Sequence, residues 1–294
     1  MTLHEPVMTR EVLAFLRPEN GGVFVDCTVG MGGHSLALLD AGATRVIGLD
    51  RDPTALALAG DALRAYGDRV ELVHSDYRSL SQVLDARGLD RVDGTLVDMG
   101  MSSYQLESEG RGFSFQRDAP LDMRMDATTG PTAAELLRDA GESEIADAIY
   151  RFGEERFSRR IARAIVAARI TRPIETTIQL ADIVRRAIPR KGFARIDPAT
   201  RTFQALRIWV NRELENLDAF VRTAALRLRG GARFVAITFH SLEDRIVKHT
   251  LRALASEAAA RIRVLTKKPV VAQPDELQRN PRARSAKLRA VESV

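Results

Sequence analysis

The amino-acid sequence predicts an α/β fold, in which a Rossmann-like sheet of seven strands carries an inserted, mostly helical domain. Three observations lead to this prediction. Four short apolar runs alternate with helical patterns before residue 100, a long helix-rich stretch follows, and three more apolar runs come after residue 230. Short apolar runs of this kind, separated by helices, are typical of parallel strands that are buried on both faces.

The first four apolar runs end in polar residues or glycine, as expected where parallel strands reach their carboxyl ends. The runs are residues 23–28, 46–49, 70–73 and 92–97. A helix is predicted over 35–41, and a second over 54–66, because Pro53 suits the first position of a helix. Ligands of such sheets bind at the carboxyl ends of the central strands.

The regular alternation stops after the fourth run. Residues 110–131 are rich in glycine and aspartate and predict an extended loop, whereas 132–186 and 202–228 predict helices, the latter broken near Asn211. The last three strands are predicted at 233–238, 262–265 and 288–291. We therefore divide the chain into a core of 1–108 and 213–294 and an inserted domain of 109–212.

The charge is unevenly distributed along the chain. Residues 1–150 carry 25 acidic and 13 basic side chains, whereas residues 151–212 carry 15 basic and 5 acidic ones. A basic segment of this size favours a polyanionic partner such as nucleic acid. Helices with solvated arginine faces are the alternative interpretation.

The composition also predicts a compartment. Cys27 is the single cysteine, so no intrachain disulfide can form. No apolar run is long enough to span a bilayer, and residues 1–10 lack the apolar region of a signal peptide. We expect a cytoplasmic protein without a membrane partner.

A glycine-rich turn between the first two strands predicts a nucleoside-like cofactor. Gly30, Gly32 and Gly33 allow close backbone approach, and Asp50 ends the second strand, where a carboxylate can accept hydrogen bonds from ribose hydroxyls. Ser35 stands where a dinucleotide site has its last glycine. S-adenosylmethionine has no phosphate and therefore does not need that glycine. A simple tight turn, with Asp50 as a helix cap, is the alternative.

Two further strand ends fit S-adenosylmethionine. Asp76 and Tyr77 follow the third strand and would offer adenine an acceptor and a flat ring, while Asp98 follows the fourth and would face the sulfonium. A core position for Tyr77 and a turn position for Asp98 are the alternatives. Agreement among separate strand ends is more specific than any single residue.

The sequence resembles the bacterial methyltransferases that modify the exocyclic N4 amine of a cytosine in small-subunit ribosomal RNA, and the resemblance runs nearly end to end. The matching stretches are HEPVM at 4–8, GMGGHS at 30–35, DRDP at 50–53, DMGMSSYQL at 98–106, RGFSF at 111–115, PLDMRM at 120–125, GEERF at 153–157, TRTFQALRIWVN at 200–211, FHSLEDR at 239–245 and NPRARS at 280–285.

The resemblance implies a class I S-adenosylmethionine methyltransferase whose substrate is small-subunit (16S) ribosomal RNA, in an assembled or late-assembling subunit. A homodimer is left open. The implied cofactor contacts are Gly32, Gly33, His34, Asp50, Tyr77, Asp98 and Gln105. Tyr77 stands where the family commonly has phenylalanine, and Tyr104 stands where it usually has proline. The second departure leaves the geometry around Gln105 open.

Chemistry assigns roles to further residues. Cytosine's amine is a poor nucleophile because its lone pair is delocalised, and Asp98 is the candidate that accepts its proton. A target base must leave its stack, so aromatic rings are needed to hold it. The candidates for the substrate are the rings of Phe113, Phe115 and Phe239, the phosphate-binding Arg201, Arg207, Arg282 and Arg284, and His240 near the substrate mouth.

Each of these substrate residues has a structural alternative, which is core packing for the rings and solvated surface for the arginines. The segment 240–244 has the side-chain types of a metal site, but no second histidine or cysteine lies nearby in the sequence, and we predict no metal. Ser241 and Asp244 instead fit a helix capping box. Trp209 is predicted to lie in the core.

Overall fold

The computed structural model describes residues 6–101, 105–106, 110–189 and 197–294. The chain folds into two compact units, one comprising Met1–Ser102 and Asn216–Val294 and the other Ser103–Glu215. The two divisions lie within six residues of the predicted domain boundaries at 108/109 and 212/213. The functions assigned to these domains remain predictions. Tyr104 and the first two residues of the 4–8 motif lie outside the described residues.

A seven-stranded sheet forms the first unit. Its strands are β1 (Val23–Asp26), β2 (Arg45–Asp50), β3 (Val70–His74), β4 (Val92–Asp98), β5 (Leu228–Thr238), β6 (Ile262–Val264) and β7 (Lys287–Ser293). The strand order is β3-β2-β1-β4-β5-β7-β6, and β7 runs antiparallel to both of its neighbours. The predicted seven-strand α/β fold is therefore confirmed.

The sheet order places one topological switch point at β1 and β4. The chain moves outward from β1 to β3 and then returns to place β4 on the other side of β1. Loops after β1 and β4 therefore leave the sheet in opposite directions, which opens a crevice at their carboxyl ends. Buried apolar side chains such as Phe24, Val46 and Leu96 pack the sheet beneath it.

Seven helices in the described part of the first unit cover the sheet or follow its strands. They are α1 (Thr9–Leu16), α2 (Gly33–Asp40), α3 (Pro53–Leu63), α4 (Leu80–Asp85), α10 (Leu217–Leu226), α11 (Ser241–Ser256) and α12 (Pro274–Arg279). Helix α3 begins with Pro53, as predicted. Its N-cap is Asp52, whose carboxylate accepts a hydrogen bond of 3.0 Å from the Thr54 amide. Asp50 is thus not the cap of this helix.

The second unit is helical. It contains α5 (Ala133–Asp139), α6 (Glu142–Gly153), α7 (Ser158–Thr171), α8 (Thr177–Ala187) and α9 (Ala199–Asn211). Capping boxes start α5 at Thr132 and α8 at Thr176. The predicted break near Asn211 is confirmed, because Arg212 leaves the helix in the left-handed region with φ of 49°. Trp209 is only partly buried, so the prediction that it is a core residue is wrong.

The capping box of α11 differs from the prediction by one residue. The N-cap is His240, and the Glu243 carboxylate accepts hydrogen bonds from the amides of Phe239 and His240 at 2.9 and 3.3 Å. Asp244 faces β7 instead and pairs with Arg289 at 2.7 Å. The prediction of Ser241 and Asp244 as the capping pair is therefore wrong, because Asp244 is held by a cation on the neighbouring strand.

None of the helices in the described ranges is long and apolar enough to cross a membrane.

Candidate active site

The glycine-rich turn after β1 places backbone atoms without side chains at the topological switch point between β1 and β4. Gly32 is the N-cap of α2 with φ of 87°, and a Cβ atom there would lie 3.2 Å from the Leu63 side chain. A Cβ atom on Gly33 would lie 3.1 Å from the ring of Pro6. No described side chain caps the helix, so its first amides remain available for a ligand. Such a helix start favours a carboxylate or another anion.

Asp50 lies at the end of β2 and is tied to this turn. Its Oδ2 accepts a hydrogen bond of 2.9 Å from the Gly30 amide, and its Oδ1 accepts one of 2.9 Å from the Asp52 amide. Each oxygen keeps a lone pair that can accept a ribose hydroxyl. Burial raises the pKa of Asp50 to about 6, although the two amide bonds act in the opposite direction.

His34 and Asp98 face each other across the switch point. The Nε2 of His34 lies 3.6 Å from the Oδ2 of Asp98, which is an ion-pair distance and too long for a hydrogen bond. Burial lowers the pKa of His34, but the carboxylates of Asp98, Asp26 and Glu276 outweigh burial and leave the pKa above its ordinary value. The charged imidazole is therefore more stable here than in an ordinary histidine.

Several polar atoms at this point are buried without a protein partner. Both ring nitrogens of His34 and the Oδ1 of Asp98 have no hydrogen-bond partner among the described residues. Buried polar atoms without partners are uncommon in folded proteins, and each one needs an explanation such as a ligand. Their position beside an uncapped helix start fits the amino-acid end and the charged centre of a cofactor.

A buried carboxylate, Asp26, lies close to this pair, and its role was not predicted from the sequence. Asp26 ends β1 and is fully buried, and it accepts hydrogen bonds from the Ser35 hydroxyl at 2.8 Å and the Thr28 amide at 3.2 Å. Thr28 Oγ1 in turn accepts a hydrogen bond of 2.7 Å from the Asp98 amide. Burial raises the pKa of Asp26. The signal was present in the sequence, since Asp26 ends its strand as Asp50 and Asp98 end theirs.

Asp76 and Tyr77 both follow β3, and the structure pairs Asp76 with Arg78. Two guanidinium nitrogens of Arg78 lie 2.7 Å from the carboxylate oxygens of Asp76, and the Arg78 amide donates at 2.9 Å. Oδ1 of Asp76 is therefore fully engaged by Arg78, whereas Oδ2 accepts one of these bonds and keeps a lone pair, so the adenine acceptor expected from the sequence stays a prediction. The Tyr77 ring packs on Phe220 with a centroid separation of 4.6 Å and follows β3, at the same sheet edge as Asp50.

Phe239 is the predicted substrate aromatic that lies in the first unit, next to Gly100, two residues beyond Asp98. It follows β5, and a Cβ atom on Gly100 after β4 would lie 3.4 Å from its ring. The ring is partly exposed. His240 comes next and lies 3.0 Å from Glu243 between Nε2 and Oε1, so its cap position explains its burial.

The other predicted substrate aromatics, Phe113 and Phe115, lie in the second unit. Phe113 is 7% exposed, and Phe115 packs on Phe203 at 4.7 Å with the Arg185 guanidinium 5.6 Å from its ring. Gln105 is 4% exposed and belongs to the same unit. Burial of Phe113 favours the core alternative for that ring.

The four arginines predicted to contact phosphates differ in their carboxylate partners and in their exposure. Arg207 makes a paired contact with the Glu213 carboxylate at 2.7 and 2.8 Å, with both side chains largely buried, so its charge is neutralised locally. Arg201 is 59% exposed and lies 3.7 Å from Glu155. Arg284 is exposed and Arg282 is half-buried on a short 3₁₀ helix, Pro281–Ser285. The geometry thus argues against Arg207 as a phosphate contact.

The fold and the site together define a Rossmann-like methyltransferase. The glycine turn, the carboxylate after β2 and the unpartnered polar atoms fit a nucleoside with an amino-acid end and need no pyrophosphate. The model of the MraW methylase family matches residues 1–294, and the chain belongs to that family. Membership in a methylase family agrees with S-adenosylmethionine as cofactor and disfavours the dinucleotide alternative.

Curated relatives cover the chain along almost its whole length. A protein named ribosomal RNA small subunit methyltransferase H from Geobacter sulfurreducens is 49% identical and covers 99% of both chains. Proteins of the same name are 50% identical in Sorangium cellulosum, over 99% of this chain and 91% of that one, and 46% identical in Geotalea uraniireducens, over 99% and 98%. The family resemblance inferred from the motifs is confirmed.

Proposed function

We propose that the protein transfers a methyl group from S-adenosylmethionine to the exocyclic N4 amine of a cytidine in small-subunit ribosomal RNA. The names of the relatives support this RNA class, and the basic segment of 151–212 agrees with a polyanionic substrate. The proposed chemistry rests on Asp98, which ends β4 beside the glycine turn. Its buried Oδ1 has no hydrogen-bond partner among the described residues.

Each residue at the sheet edge would bind a different part of the cofactor. The backbone of Gly32, Gly33 and His34 would bind its amino-acid end at the start of α2, and Asp50 its ribose. Tyr77 would contact the adenine, with Gln105 as a further contact that the family resemblance implies. When bound, S-adenosylmethionine supplies an electrophilic methyl group on a sulfonium.

Asp98 would act on the cytosine amine. A carboxylate that accepts a hydrogen bond from this amine increases electron density on its nitrogen and stabilises the positive charge that develops there. As the nitrogen–carbon bond forms and the carbon–sulfur bond breaks, the amine loses one proton, for which Asp98 is the nearest proposed acceptor. His34 would stay beside the Asp98 carboxylate, from which its Nε2 is 3.6 Å away.

The target base would be held outside its stack. Phe239 is the best placed ring for this role, because it lies next to Gly100, two residues beyond Asp98. Phe113 and Phe115 remain proposals in the second unit. Arg201, Arg282 and Arg284 are the proposed phosphate contacts, and Arg207 is the weakest candidate because of Glu213.

Transfer of labelled methyl tests the proposal directly. Labelled S-adenosylmethionine would be supplied with naked small-subunit RNA, isolated small subunits and intact ribosomes, and the product nucleosides would be separated by mass spectrometry. N4-methylcytidine is the expected product, with small subunits as the preferred substrate. Label on another atom or base contradicts the N4 assignment. Tight S-adenosylhomocysteine binding without any transfer supports a non-catalytic assembly factor instead.

A further inference from the structure

The turn between α6 and α7 carries a basic surface that has no role in the site described above. The motif GEERF at 153–157 forms this turn, and Arg151, Arg156, Arg159 and Arg160 around it are exposed. We call these four arginines, together with Tyr150, Phe157 and Arg201, the basic turn. All of them belong to the second compact unit.

The backbone of the basic turn is held firmly against α9. A Cβ atom on Gly153 would lie 2.6 Å from the carbonyl oxygen of Arg201, so only glycine allows this close approach. The Gln204 amide donates to the Phe152 carbonyl at 3.1 Å, and the buried Glu155 carboxylate accepts the Phe157 amide at 2.9 Å. The exposed side chains therefore project from a fixed frame.

Arg201 joins this surface through the same contacts. Its Nη1 lies 3.4 Å from the Glu154 carbonyl oxygen and 3.7 Å from Glu155 Oε2. Arg201 on α9 is thus held against the turn that precedes α7, although 47 residues separate it from Glu154 in the chain.

Four arginines of the basic turn, those other than Arg201, have no carboxylate partner among the described residues. Helix α7 contains four arginines and no acidic residue. Two of these have structural partners, since Arg163 lies 3.7 Å from Glu142 and Arg169 donates to the carbonyl groups of Leu137 and Ala140. Among the described residues, no ion pair engages Arg151, Arg156, Arg159 or Arg160. Unpaired arginines on a rigid surface are suited to phosphates.

Aromatic rings lie among these charges. Tyr150 is 62% exposed, which is unusual for a large aromatic side chain, and the guanidinium carbon of Arg156 lies 4.6 Å from the centroid of the Phe157 ring. Exposed rings beside arginines bind unpaired nucleotides, because the rings stack on bases while the arginines contact the backbone. A fully paired helix offers no unstacked base for Tyr150.

We propose that the basic turn binds an unpaired segment of RNA, with Tyr150 stacked on a base and Arg151, Arg156, Arg159, Arg160 and Arg201 near its phosphates. The identification of this RNA as ribosomal rests on the proposed function.

Fluorescence anisotropy with a labelled, unstructured oligoribonucleotide at a series of KCl concentrations tests the proposal on the full-length protein. The double variant Arg159→Gln/Arg160→Gln should lower the magnitude of the slope of log K against log [KCl] by about 1.4, since each lost phosphate contact on a single strand contributes about 0.7. Tyr150→Ala should weaken binding about tenfold and leave the slope unchanged.

Arg138→Gln is the matched control, because Arg138 is likewise an exposed arginine of the same unit but is paired with Asp139 at 2.8 Å. It should bind as the unmodified protein does. All variants should keep the unmodified affinity for S-adenosylhomocysteine, which shows that they are folded. Unchanged affinity and slope in both turn variants would overturn the proposal, as would an unmodified protein that does not bind the oligoribonucleotide.

The proposed function is tested separately by methyl transfer from the unmodified protein. If methyl is transferred to ribosomal RNA but the turn variants bind RNA normally, only the proposal for the basic turn is overturned. No transfer, combined with weaker binding by those variants, overturns only the proposed reaction.

Discussion

His34 and Asp98 are sixty-four residues apart in the chain, yet their side chains face each other at 3.6 Å at the topological switch point of the sheet. His34 lies in the first turn of α2 after β1, and Asp98 ends β4, the strand that pairs with β1. Asp98 is 23% exposed in its side chain, whereas His34 is 5% exposed. The buried imidazole therefore lies beside a carboxylate that is still accessible to a substrate.

Replacing Asp98 by asparagine should reduce kcat by about 100-fold or more, because an amide neither accepts the proton nor stabilises the developing charge as a carboxylate does. Affinity for S-adenosylhomocysteine should fall much less. Single-turnover methyl transfer and calorimetry measure the two quantities. Asp90→Asn is the control, since Asp90 is 88% exposed and should tolerate the change. An Asp98→Asn protein with unchanged kcat would refute the proton-acceptor role.

Replacing His34 by glutamine should make the free energy of unfolding less dependent on pH. Because the folded pKa of His34 is raised, its stabilising contribution is fully present below the ordinary value of about 6.5 and is lost as pH rises through the folded pKa. The difference between the unmodified protein and His34→Gln should thus be largest on the acidic side. Urea unfolding over a pH series measures it.

The carboxylates that face His34 are Asp98, Asp26 and Glu276. In an Asp98→Asn background the pH-dependent difference should shrink, because the main partner is neutral. A difference of the same size in both backgrounds would show that Asp98 does not hold the histidine charged.

Cofactor binding should depend on the ionisation of Asp50. Ribose hydroxyls donate to the charged carboxylate, and the pKa of Asp50 in the free protein is about 6. Affinity for S-adenosylhomocysteine should therefore fall as pH drops below that value, by at most about tenfold per pH unit for one proton. Isothermal titration calorimetry across this range gives the dependence.

Asp50→Asn separates this effect from other titrating groups such as Asp26 and His34. The variant should bind more weakly at neutral pH, and the part of the pH dependence due to Asp50 should disappear. If the variant keeps the full pH dependence, another group controls binding.

Two glycines of the second unit provide a matched pair for stability. Gly112 has φ of 71°, and a Cβ atom there would lie 2.4 Å from the Pro120 carbonyl oxygen. Gly110 has φ of 86°, and no atom of the described residues would lie within 4 Å of its Cβ atom. Gly110→Ala should cost about 1–2 kcal/mol from the left-handed backbone alone. Gly112→Ala should cost about 1–3 kcal/mol more, because backbone must move. Urea unfolding compares them, and equal losses would contradict the close contact.

Much of the fold could be predicted because its signals are local. Apolar runs with polar ends predicted all seven strands, and Pro53 predicted the start of α3. The helix break after Asn211 was also visible in the sequence. These features depend on hydrophobic periodicity and on backbone preferences, which the residues carry wherever they lie in the fold.

The roles of several charged groups could not be predicted, because they depend on partners that are distant in the chain. The sequence alone determined that acidic residues end successive strands beside a glycine turn. Only the tertiary structure, through the pairing of β1 with β4, decided that His34 faces Asp98. It likewise paired Asp76 with Arg78 and Arg207 with Glu213, and it placed Arg201 against the turn before α7. Electrostatic effects act through space, and strand order and helix packing set those distances.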